Sequence, residues 1–64
     1  MTIYRLKFED QDLHPIDDWN YFPNKTDALD AYDAVVHGSV VGLGSVYVTE
    51  DDGSHERVIA SQIL

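Results

Sequence analysis

Sixty-four residues carry twelve Asp and Glu against four Lys and Arg, a formal net charge of −8, and no cysteine. That balance argues against direct contact with nucleic acid or an anionic membrane, because phosphates need cations to replace their counterions, and the lack of thiols excludes disulfides and thiolate metal sites. With 44% hydrophobic residues there is apolar matter for one small core, although a chain this short buries only about 60% of the surface its unfolded form exposes.

The opening MTIYRLKFED lacks the basic region and apolar run of a secretion signal, and no segment has the length of a membrane span; the expectation is a soluble, cytoplasmic protein of one domain. Within it, residues 2–8 alternate, so that Tyr4, Leu6 and Phe8 point one way while Ile3, Arg5 and Lys7 point the other. That is the pattern of a half-buried strand. Residues 9–24, EDQDLHPIDDWNYFPN, hold two prolines that interrupt any long helix, and the segment reads as an ordered loop with a short strand near Trp19 to Phe22. Its WNYF cluster is too apolar to stand wholly in water. A lid over the core is the expected arrangement, since each large aromatic hides about 150–250 Å²; the other arrangement leaves Trp19 and Tyr21 exposed as binding anchors.

From Asn24 to Gly38 the pattern becomes helical. At 100° per residue Ala28, Leu29, Tyr32, Val35 and Val36 gather on one side, and Asp27, Asp30 and Asp33 fall opposite. Asn24 or Thr26 can cap the first amides, Asp27 complements the helix dipole, and Gly38 follows as a stop. In SVVGLG, residues 39–44, the two glycines predict a turn or a bulge; neither GxGxxG nor GK[ST] is present, so no phosphate cradle is expected. SVYVT at 45–49 and RVIASQI at 57–63 are strand-forming, and Asp52-Gly53 between them signals a hairpin. A two-residue turn would set Val48 opposite Arg57, whereas a three-residue loop would set Val46 opposite Val58. Either way Glu50, Asp51 and Asp52 are expected to protrude together at the tip.

The order is strand, irregular segment, helix, strand, strand. It predicts an α+β fold with one helix packed on a three- or four-stranded, mainly antiparallel sheet. With a single helix the far side of that sheet has no cover, so Ile3, or whichever of Tyr47 and Val48 faces outward, is expected in a patch that could pair with a second copy. A monomer or a weak homodimer follows.

No catalytic constellation is legible. His14, His37 and His55 are scattered without HxxxH or HExxH spacing, and His37 is explained by the carbonyls at a helix end. Asp10, Asp12 and His14 alternate as calcium ligands can, but the loop lacks the glycine and the closing Glu of such a site. The serines sit in no GxSxG context. The chain is expected to be neither an enzyme nor the holder of a metal or cofactor.

The acid stripe is the sharper feature. Asp27, Asp30 and Asp33 advance about 4.5 Å along the helix per step, and further acids cluster at 9–18 and at 50–52. A surface built only for solubility would intersperse both signs. Rows of carboxylates on a firm support can stand in for duplex DNA, which presents one charge per roughly 1.7 Å of its axis. With its compact length, no Cys, no catalytic motif and rows of Asp on DALDAYD and EDD, the chain resembles the small acidic phage-encoded inhibitors of bacterial defence, in particular anti-CRISPR proteins that act as DNA mimics. The resemblance implies a stoichiometric inhibitor of a basic nucleic-acid-binding protein or complex such as a CRISPR effector. In it Asp27, Asp30, Asp33, Glu50, Asp51 and Asp52 would face target cations, with Trp19 and Tyr21 as apolar anchors. The plainer explanation is a solvated helix face that keeps a small protein in solution.

Overall fold

The computed structural model describes residues 1–38 and 42–64, and of residues 17–19 the backbone alone. Strands β1 (Ile3–Asp10) and β2 (Pro15–Phe22), helix α1 (Lys25–His37), and strands β3 (Leu43–Asp51) and β4 (Glu56–Ile63) follow one another. The strands form one sheet in the order β2-β1-β3-β4, and every neighbouring pair is antiparallel. This is the expected α+β arrangement of one helix on an antiparallel sheet.

The core lies where α1 crosses the two central strands. Leu6, Val46 and Val48 meet Ala28, and Tyr4, Phe8, Phe22, Leu29 and Tyr32 pack around them. Ala28 has no exposed surface, and its small side chain lets the helix axis come close to the sheet. The helix start is fixed as its sequence suggests. Asn24 accepts the Asp27 backbone N–H at 2.9 Å and donates its side-chain amide to the Asp27 carboxylate at 3.0 Å, so cap and first turn hold each other. At the other end the Gly38 N–H donates to the Val35 carbonyl.

Two expectations change. Residues 9–24 are not mainly loop: an eight-residue strand runs from Pro15 to Phe22. The prolines do exclude a helix, but an edge strand tolerates Pro at its first residue, because it needs no donor toward solvent. Between Leu6↔Asn20 and Phe8↔Ile16 β2 carries extra residues that bulge out of the ladder. The second change is the β3–β4 register, which matches neither alternative. Asp51 pairs with Glu56, Glu50 with Arg57 and Thr49 with Val58, after which a shift sets Val48 against Ala60. The loop is longer because carboxylates organise it. Asp52 accepts the N–H groups of Ser54 and His55 at 2.8 Å, and Asp51 accepts that of Gly53, whose φ is +95°. Of the SVVGLG stretch, residues 39–41 lie outside the described residues; beyond them Gly42 has φ +94° and Gly44 is a bulge between Ser45 and Leu43, as expected of one of the two glycines.

Candidate functional site

The helix side of the molecule carries exposed carboxylates on a rigid mount. Asp27, Asp30 and Asp33 are all exposed. Asp27 shares its carboxylate with the Asn24 cap, and Asp33 lies 3.2 Å from His37 Nδ1, both side chains being mostly in water. Asp30 has no hydrogen-bond or ion-pair partner among the described residues.

The opposite side of the sheet is organised differently. Arg5, Lys7, Thr49, Asp51 and Glu56 meet there in one network centred on a single oxygen. Glu56 Oε2 accepts from Thr49 Oγ1 at 2.7 Å and from Arg5 Nη1 at 3.0 Å, with Lys7 Nζ at 3.1 Å, while Arg5 Nη1 also donates to Asp51 Oδ2 at 2.7 Å. The long stems of Arg5 and Lys7 lie over the sheet, and Thr49 beneath the network is buried although no helix covers it. Ile3 lies on this face as expected, and the exposed Val58 and Ile63 opposite Thr49 and Ser45 lie there too, but the charged network separates them. Tyr47 does turn to it and is half-buried, Val48 belongs to the core, and charge fills the middle.

The 50–52 acids likewise differ from the expectation that they protrude together. Glu50 and Asp51, as neighbours on a strand, point to opposite faces; Glu50 meets Arg57 Nη2 at 2.9 Å and Asp51 meets Arg5. Asp52 is exposed, and its carboxylate is engaged with its own loop. Three cations thus stand against three acids on β1, β3 and β4, so the formal charge of −8 is carried by the other nine acids and Lys25. Those acids lie on α1, on β1–β2 and at Asp52. Glu9 accepts from Ser45 Oγ at 2.7 Å, and Asp10 holds the β1–β2 loop by accepting the N–H groups of Asp12 and His14 at 2.9 Å. The side chains of Asp17, Asp18 and Trp19 are not among those described. Tyr21 is 65% exposed on the face away from the helix, and Phe22 packs against the core.

No family model, curated protein or solved structure matches this chain.

Among the described residues no group of three His, Asp or Glu converges as a metal site would need, and no helix is long and apolar enough to cross a membrane. What the arrangement offers is a separation: Glu50, Asp51 and Glu56 are compensated by Arg57, Arg5 and Lys7, whereas the helix carboxylates meet no Lys or Arg among the described residues. Arg5 and Lys7 were legible as outward residues of the first strand. Glu56, which gathers them, was not, because only the strand register brings it there.

That network has a pH signature. Thr49 and Lys7 hold the Glu56 carboxyl below its ordinary range, Arg5 and the Gly53 amide do so for Asp51, and the His55 and Ser54 amides for Asp52. Depressed carboxylates contribute stability that is fully present above the unfolded values of about 4 and is lost as pH falls through the folded ones. Thermal melts should therefore hold level from neutral pH to about 5 and fall below about 4. Glu56→Gln should melt lower than the parent at neutral pH and show a shallower acid decline; an unchanged decline would remove the network from the explanation.

Proposed function

We propose that this protein is a non-enzymatic inhibitor that occupies a basic, nucleic-acid-accepting surface of another protein or complex, with its helix acids in place of phosphates. One observation carries the reading. Asp27, Asp30 and Asp33 stand exposed in a row on a capped helix, while three of the chain's four cations are held by other acids. A neutralised surface would send no field into solution. This one attracts a cationic groove over a Debye length, about 8–10 Å at physiological salt. Glu50 and Asp51 support this reading less than the helix does, because their charge is compensated at short range. Tyr21 lies on the far face of the sheet and would serve a partner only if that partner wrapped an edge. A DNA-binding CRISPR effector, the target class implied by the resemblance, has the required cationic channel.

The test is displacement of labelled duplex DNA from a panel of CRISPR effector complexes, followed by fluorescence anisotropy. The parent protein should release the DNA, less effectively as salt rises. Asp27→Asn, Asp30→Asn and Asp33→Asn together should weaken it about ten- to hundredfold, at roughly 0.5–1 kcal/mol per screened surface charge, while the thermal melt stays level or improves through relief of like-charge repulsion. Displacement undiminished in the triple variant would sink the proposal.

A further inference from the structure

The two edges of the sheet are protected very unequally. On β2 the open edge begins with Pro15 and carries an out-of-ladder bulge, two devices that keep edge strands from pairing with other chains. On β4 there is no charged side chain and no proline from Val58 to Leu64, and Val58 and Ile63 are 57% and 70% exposed. The register shift near Thr49 leaves Ala60–Ile63 as its regular part. There the Leu64 N–H donates to the Gly44 carbonyl at 2.9 Å, so by the alternation of an antiparallel ladder the backbone groups of Ser61 and Ile63 face away from β3. The outward Ile63 carbonyl takes a bond from the neighbouring Gln62 side chain at 3.1 Å.

We infer that β4 pairs antiparallel with β4 of a second copy. Charge selects this occupant. On a chain of net charge −8 the β1–β2 hairpin, the helix and the β3–β4 loop each carry acids that would repel a second copy, whereas β4 from Val58 onward can meet its own image without opposing acidic side chains. A two-fold axis normal to the sheet makes the pairing self-complementary, and because β2 is blocked the assembly closes at two copies and does not extend into a filament. Both helices then lie on the same side of one continuous sheet. Pairing over so short a run buries less than the roughly 1,200 Å² of a stable interface, so the dimer is reversible.

Sedimentation velocity on the isolated protein, from micromolar to millimolar concentration and at low and high salt, tests this. A monomer–dimer equilibrium is expected that strengthens with salt, since screening relieves repulsion between the copies; target binding by the helix acids has the opposite salt response, so the two readings fail separately. Ser61→Pro removes an outward N–H without breaking the β3–β4 ladder, and Ile63→Lys places a charge at the edge. Each should return the protein to monomer with its melt retained, although Ile63→Lys lowers the magnitude of the net charge and would by itself favour association. A monomer at every concentration and salt, or a dimer indifferent to both substitutions, overturns the inference.

Discussion

Gly44→Ala is expected to lower the midpoint of chemical denaturation more than alanine at any other described glycine. A Cβ at Gly44 would collide with the Asp10 carbonyl oxygen and would lie 2.8 Å from its carbon and 3.0 Å from the Gln11 Cα. All three are backbone atoms of β1 or of the turn that follows it, so no side chain can swing aside to make room. The bulge at Gly44 allows this approach, because there the chain between Ser45 and Leu43 presses against the end of β1. Overpacking costs about 1–3 kcal/mol where side chains can adjust, and an immovable neighbour puts this site at about 3 kcal/mol or above. Against a total of roughly 3–10 kcal/mol for a chain of this length, at about 0.05–0.15 kcal/mol per residue, that is a large share. Gly53→Ala is the control. Gly53 has φ +95° but nothing within 4 Å of its would-be Cβ, so only the left-handed backbone is penalised, by about 1–2 kcal/mol. Equal losses at the two positions would mean that β1 yields at the bulge.

Leu6→Ala should be comparably severe for the opposite reason, since it empties space. Leu6 is 3% exposed on the inner strand β1, set between Asn20 of β2 and Val48 of β3, and faces Ala28 on the helix. The Ala28 methyl opposite it is too small to fill the gap. Leu→Ala in a packed core costs about 2–5 kcal/mol, enough to leave a large fraction of a chain this small unfolded at room temperature. Circular dichroism and a urea titration would read it directly. Leu13→Ala, at a residue 52% exposed in the β1–β2 loop, should shift stability by no more than about 0.5 kcal/mol. A well-folded Leu6→Ala protein would show that the side chains around Leu6 close the cavity.

These substitutions probe the scaffold, and the proposed role depends on it through the helix. The row of Asp27, Asp30 and Asp33 keeps its geometry because Asn24 holds the first turn and Ala28 seats the helix on Leu6, Val46 and Val48. Loosening that seat would disperse the row without removing a single carboxylate. Inhibition lost in Leu6→Ala but retained under conditions that refold it would therefore speak for the geometry of the acids over their mere number.

Much of the architecture could be read along the chain. The alternation of Tyr4, Leu6 and Phe8, the helical spacing of Ala28, Leu29, Tyr32, Val35 and Val36, and the Asn24 cap each depend on neighbours within a turn or two, and such local periodicities decide which face is buried. The exposure of the helix acids follows from the same pattern. The strand at Pro15–Phe22 was harder to see, because a strand is made by its partner and prolines at its ends look the same in a loop. Tertiary structure alone decided the rest. Only the β1–β3–β4 register sets Arg5 and Lys7 beside Asp51 and Glu56, residues more than forty positions away, and so neutralises those two acids while the helix acids meet no Lys or Arg among the described residues. Composition counts charges; which carboxylate meets which cation depends on distances that long-range strand pairing creates, and no window of sequence contains them.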